Sequence, residues 1–264
     1  MRYEEYAPPE PLLPIIRCVW PMRRSVVGAP SPQRIVPDGC AELIVNLGES
    51  FERVESNGTA RVQERVLVVG QLTRAIVVSP RGGVDLVGVR FEPGGLHALA
   101  PGAAPGLTDV DARATDIHAA LGDEALEAVA ASRSLAALFA AIGAAVPDRR
   151  RGQTRADAIV AAAAKRLDAP FSTVDRTSEA LGVTPRTLER HFRDRVGIAP
   201  KRYQRIRRVQ RVVAGLDRSI APAQADWAGM AAAHGYADQS HLIREFRDVV
   251  GQTPTAYEAE RTPM

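Results

Sequence analysis

Residues 182–203 read GVTPRTLERHFRDRVGIAPKRY, and residues 235–257 read GYADQSHLIREFRDVVGQTPTAY. Leu188, Arg190, Phe192-Arg193-Asp194, Val196-Gly197, Pro200 and Tyr203 of the first stretch recur 54 positions later as Leu242, Arg244, Phe246-Arg247-Asp248, Val250-Gly251, Pro254 and Tyr257. Gly182 matches Gly235, so one residue is inserted between the copies. Agreement of this density marks an internal repeat.

Each copy follows the pattern of a helix-turn-helix: an apolar helix, a glycine that permits a tight turn, then a second helix with one apolar and one polar face. In the first copy Thr184 is placed to cap the second helix and Pro185 suits its first position. Leu188 and Phe192, four residues apart, turn to the core, which leaves Arg186, Glu189, Arg190 and Arg193 outward. In the second copy Asp238 is the expected cap and Leu242 and Phe246 the inward pair. Gln239, Ser240, His241 and Arg244 are then outward.

Working outward, the pattern predicts helices over Ala156 to Leu167, Thr173 to Leu181, Pro185 to Val196, Pro200 to Leu216, Asp226 to His234 and Asp238 to Val250, with a short one from Pro254. The expectation is an all-α C-terminal domain of about seven helices. Ile206, Val209, Val213 and Leu216 form one stripe of the helix between the copies, and Arg202, Arg205, Arg207, Arg208 and Arg211 are expected on its remaining surface. Charge is divided to match. Residues 148–264 hold 19 Arg and 2 Lys against 14 acidic residues (+7), whereas residues 1–147 hold 13 Arg against 17 (−4). A basic half joined to an acidic one points to a polyanionic partner.

These residues resemble the AraC/XylS family of transcription regulators. The stretch from Gly235-Tyr236-Ala237-Asp238 through Phe246-Arg247 to Gly251-Gln252-Thr253-Pro254 lies close to the family signature, with Ala237 where serine is usual. The resemblance spans roughly residues 155 to 260. It implies a seven-helix domain that reads double-stranded promoter DNA with Arg186, Glu189 and Arg190 in the first copy and Gln239, Ser240, His241 and Arg244 in the second. Arginine suits guanine, glutamine suits adenine and glutamate accepts from cytosine. Because Arg190 and Arg244 stand in corresponding places of a repeat, phosphate clamping is the alternative role. The resemblance further implies activation rather than repression, RNA polymerase as a partner, and no cofactor.

The first half predicts short antiparallel strands at Gln33 to Val36, Ala41 to Leu47, Arg65 to Val69, Ala75 to Val78 and Val84 to Phe91, bounded by Pro37-Asp38-Gly39, Asn57-Gly58 and Pro80-Arg81-Gly82-Gly83. Helices are expected at Asp116 to Leu121 and Asp123 to Val146. The fold class is therefore an α+β N-terminal domain, a small antiparallel sheet or barrel followed by helices, ahead of the helical domain. The expected boundaries are residues 1–147 for a sensor or regulatory domain, 148–155 for a linker, and 156–264 for the double helix-turn-helix domain. The N-terminal half is similar to an uncharacterised domain found ahead of such DNA-binding domains. Its landmarks are Pro37-Asp38-Gly39-Cys40, Val69-Gly70-Gln71 and Gly88 to Gly95. By analogy it senses a small-molecule effector; binding a protein partner, or forming a homodimer, is the alternative.

Composition narrows the remaining classes. With no apolar run long enough to span a bilayer and no leader-like start, a cytoplasmic protein without membrane association is expected. Cys18 and Cys40 read as buried free thiols, and two scattered histidines in the first half argue against a metal site. An alkylation-repair enzyme with this type of helix-turn-helix needs a four-cysteine cluster or a Pro-Cys-His-Arg motif, and neither occurs in the sequence. No catalytic residue is expected.

Overall fold

The computed structural model describes residues 4–24, 32–55, 58–146, 154–218 and 226–261. The expected linker positions 148–153, and Asn57 of the expected turn, lie outside the described residues.

The N-terminal half is built from nine strands: β1 (Ile16–Arg24), β2 (Gln33–Ile35), β3 (Glu42–Asn46), β4 (Phe51–Val54), β5 (Ala60–Val62), β6 (Val66–Val69), β7 (Ile76–Pro80), β8 (Val84–Phe91) and β9 (Asp111–Arg113). They form two antiparallel sheets, of order β1-β8-β3-β6-β9 and β2-β7-β4-β5. Side chains alternate across the larger sheet, as the two-residue strand period requires. Leu43, Val45, Val87 and Val89 point to one face and pack on helices. Cys18, Trp20, Ile44 and Leu86 point to the other, towards the smaller sheet. The order of layers is small sheet, large sheet, helices.

The helical layer comprises α1 (Gly95–Leu99), α2 (Ala114–Ile117), α3 (Asp123–Ala131) and α4 (Leu135–Ala145). The sequence pattern merged the last two into one helix. They are separate because Arg133 adopts a left-handed backbone (φ 57°) and Ser134 then caps α4 by accepting from the Ala137 N–H. Likewise the helix expected at Asp116 to Leu121 is α2 followed by a 3-10 turn at Ala119–Leu121. Leu126, Leu138, Phe139 and Ile142 are buried against the large sheet, so this apolar stripe is internal core. Four strands escaped the sequence pattern. Of these β1 contains Pro21, tolerated because β1 is an edge strand of its sheet.

Among the described residues the C-terminal half forms seven helices: α5 (Arg155–Leu167), α6 (Val174–Ala180), α7 (Pro185–Val196), α8 (Pro200–Arg218), α9 (Trp227–Ala233), α10 (Gln239–Val250) and α11 (Pro254–Arg261). The expected caps are in place. Thr184 accepts from the Thr187 N–H and Asp238 from the His241 N–H, each satisfying one of the donors orphaned at a helix start. Gly182 and Gly235 both adopt left-handed backbone, φ 63° and 75°, which lets the chain turn between the two helices of each unit.

Candidate nucleic-acid interface

The repeat in sequence is a repeat in space. Leu188, Phe192, Leu242 and Phe246 are all fully buried. Phe192 meets Tyr203 edge-on at 5.6 Å and Phe246 meets Tyr257 edge-on at 5.7 Å, so the aromatic pairs also correspond. Two hydrophobic cores result, one around α7 and one around α10. Helix α8 belongs to both. It gives Tyr203 and Ile206 to the first core and Val209, Val212, Val213 and Leu216 to the second. At 1.5 Å per residue α8 is about 28 Å long, of the order of one DNA turn.

Burying one face of each second helix presents the other. Arg186, Glu189, Arg190 and Arg193 on α7 are exposed, as are Gln239, Ser240 and Arg244 on α10. Three members of the set are already engaged. Glu189 and Arg193 form an i,i+4 ion pair at 2.9 Å on the exposed face. His241 is half-buried: its ring stands edge-on to Tyr236 at 5.3 Å, and its Nε2 lies 3.6 Å from Glu245. His241 therefore belongs partly to the lobe built around the α10 core, as its counterpart is around the α7 core, rather than to the outward face.

The arginines of α8 differ from the sequence expectation more sharply. Rather than studding free surface, four of them bind acids on neighbouring elements, and Arg202 donates to Thr73 Oγ1. Arg208 holds the buried Glu245 through two bonds of 2.9 and 2.7 Å and lies 4.4 Å over the Tyr236 ring. Arg205 pairs with Asp248 and Glu245. Arg207 and Arg211 both reach Asp168 at the end of α5. Burial disfavours the Asp168 charge, but Arg207 and Arg211 outweigh it and hold its carboxyl below the ordinary aspartate value. Sequence composition cannot reveal these partners, because the acids lie about 40 residues away on other helices.

The N-terminal half touches both lobes at their corresponding ends. Thr108 Oγ1 donates to the Gly197 carbonyl just past α7. Ala75 N–H donates to the Val249 carbonyl, and Arg34 to the Val250 carbonyl, at the end of α10. These are carbonyls a helix C-terminus leaves without an internal partner. Between the lobes, α8 holds the segment after β2: Gln210 donates to the Val36 and Pro37 carbonyls, and Arg207 to that of Asp38. Gly39 (φ 87°) lies so close that a Cβ there would stand 2.9 Å from both Tyr203 and Arg207.

The same segment lines a cavity of about 160 Å³ between the two sheets. Its walls include Trp20, Met22, Phe51, Leu72 and Ile76, and its polar lining includes Asp38, Glu42, Asn46 and Arg90. Cys40 also faces it, and burial raises both thiols, Cys18 to about 11 and Cys40 well above its ordinary value. Burial likewise raises Glu42, with Arg90 opposing and Asp38 adding to the rise, to a pKa of about 7. An unfolded glutamate titrates near 4.3, so the folded chain binds this proton more tightly. The stabilisation is complete below the unfolded value and is lost as pH rises through about 7. In Glu42→Gln the melting temperature is expected to fall less between pH 5 and about 8 than in the wild type. Parallel melting curves across that range would refute it.

Comparison with known proteins follows the same division. Residues 4–113 match the family described as a domain of unknown function, DUF6597, and residues 177–260 match a family described as a helix-turn-helix domain. No curated protein matches the sequence. Among solved structures, ToxT from Vibrio cholerae is 10% identical over 93% of this chain and 98% of its own, with a TM-score of 0.48. Its complex with an unsaturated fatty acid is 11% identical over 91% and 93%, with a TM-score of 0.43. A transcriptional regulator with an AraC-type DNA-binding domain from Chromobacterium violaceum is 23% identical over 39% of this chain and 88% of its own, with a TM-score of 0.33. Among the described residues no helix is long and apolar enough to cross a membrane. The chain thus carries a DUF6597 match in its N-terminal half and a helix-turn-helix match in its C-terminal half.

Proposed function

We propose that the protein is a sequence-specific transcription regulator that reads double-stranded promoter DNA with α7 and α10 and is controlled from its N-terminal half. The carrying observation is the pair of equivalent helices with exposed polar faces, held on one shared α8. Residues 156–264 are the DNA-binding domain, 148–155 the linker and 1–147 the sensor. Arg186, Arg190, Gln239, Ser240 and Arg244 are the base readers, with His241 at the margin. Glu189 and Arg193 read only when their mutual ion pair opens. The reading includes activation through RNA polymerase in the cytoplasm. Contacts from the N-terminal half to both lobes support control, because a shift of that half moves both reading helices together.

Affinity of the full chain for its promoter is expected to fall steeply with salt, since neutralised phosphates release counterions. Arg186→Ala is expected to lose about 1–3 kcal/mol of discrimination at one or two base pairs, with the melting temperature unchanged. A gel-shift titration combined with selection from a randomised site measures both. Unchanged base preference removes Arg186 from the readers, and salt-independent binding overturns the DNA reading itself.

A further inference from the structure

We propose that the cavity between the sheets binds a small organic amine, with its ammonium against Asp38 and Glu42, an apolar body between the sheets, and a hydrogen-bond donor reaching Asn46. This rests on the reading of the N-terminal half as the sensor. The volume, about 160 Å³, has room for on the order of ten non-hydrogen atoms. Trp20, Met22, Phe51, Leu72 and Ile76 give the body an apolar and partly aromatic enclosure.

One polar end is short of positive charge and the other of a hydrogen-bond donor. Glu42 and Asn46 are the first and last residues of β3 and face the cavity on the same side, with Ile44 between them; four residues of strand separate them by about 13 Å. At the first end Arg90 Nε serves both Asp38 (3.1 Å) and Glu42 (2.9 Å), while its Nη1 pairs with Glu5 (3.0 Å); the other donors there, Trp20 Nε1 to Glu42 (3.2 Å) and the Cys40 N–H to Asp38 (2.9 Å), are neutral. Three acidic side chains thus share one guanidinium, and Glu42, buried beside them, keeps its proton up to about pH 7 in the absence of a further cation. The neighbouring cations do not redress the balance, because Arg207 is paired with Asp168 and Arg17 with Glu92. An anionic ligand would be a fourth negative group there, whereas an ammonium supplies the missing charge. At the second end Asn46 is buried, 1% exposed, and its Oδ1 has no hydrogen-bond partner, its Nδ2 donating to the Glu64 carbonyl. An unpaired buried acceptor is satisfied by a hydroxyl or N–H, not by another carbonyl or carboxylate.

Binding at this place is coupled to the reading helices through one short segment. Val36, Pro37 and Asp38 line the cavity with their own atoms and give their carbonyls to Gln210 and Arg207 of α8. An occupant drawn to Asp38 therefore acts on the helix shared by both lobes.

Tyramine, an aromatic amine with a hydroxyl at its far end, is the probe, titrated calorimetrically into the full chain. Phenethylamine, which lacks the hydroxyl, is expected to bind at least about tenfold more weakly, and hydroxyphenylpropionate, with a carboxylate in place of the ammonium, not at all. Glu42→Gln is expected to lose about tenfold or more for tyramine, with circular dichroism showing the fold retained. If Glu42→Gln fails to fold, the analogue series on the wild type decides alone. No heat with tyramine at millimolar concentration, or equal binding of hydroxyphenylpropionate, overturns the amine assignment while leaving the DNA reading intact. Tyramine binding with promoter affinity unchanged overturns control by this cavity while leaving the ligand assignment standing.

Discussion

Phe192→Ala and Phe246→Ala are each expected to destabilise the protein by about 3–5 kcal/mol and to abolish promoter binding. Both rings are fully buried, each inside one of the two cores of the C-terminal half. Each also loses an edge-on partner, Tyr203 or Tyr257. The loss of DNA binding follows from unfolding, since the phenylalanines face away from the exposed residues. Gln239→Ala supplies the contrast: it lies on the exposed face of α10, so its melting curve should match the wild type while specific binding weakens more than binding to random DNA. Urea melts and gel-shift titrations on the three variants measure both properties. Equal losses of stability in Gln239→Ala and Phe246→Ala would mean that α10 turns its other face to DNA.

That contrast was legible in the sequence because a repeat is self-checking. An apolar residue that recurs at the same place in two helices is hard to mistake for a surface residue, and Leu188, Phe192, Leu242 and Phe246 are all buried. Caps were legible for the same local reason: Thr184 and Asp238 act within three residues of themselves. What escaped depends on distant partners. Proline normally ends a strand pattern, and only its edge position lets Pro21 stand in β1. The break at Arg133 leaves no sign in an alanine-rich run where either helix alone is plausible. The arginines of α8 share the composition of a DNA-binding surface, yet Asp168, Glu245 and Asp248 take them up. The basic excess that points to DNA is thus partly spent inside the domain, whereas Arg186 and Arg190 on α7 and Arg244 on α10 stay exposed.

The second large effect separates two ion pairs that look alike by distance. Arg208 and Glu245 lie 2.7 Å apart, and Arg193 and Glu189 lie 2.9 Å apart. The first joins α8 to α10, with the Glu245 side chain only 7% exposed; the second lies along one helix with both side chains at least half exposed. Exposed pairs of this kind contribute about 0.5 kcal/mol or less, because water screens them and two long side chains must be ordered. Removing one partner of a buried pair strands the other charge away from water, at a cost of about 3–5 kcal/mol. Arg205, 3.4 Å from the same carboxylate, softens the loss, so Arg208→Met is expected to cost about 3 kcal/mol and Arg193→Met about 0.5 kcal/mol or less. If α10 reads DNA as proposed, Arg208→Met should also weaken promoter binding, through the position of the helix rather than through any contact with DNA. Replacing both partners, Arg208→Met with Glu245→Leu, removes the stranded charge and should recover most of the stability. Urea melts on the three variants, each compared with the wild type, test the ordering. If Arg208→Met costs no more than Arg193→Met, then Glu245 reaches water and the junction of α8 with α10 is not held by this pair.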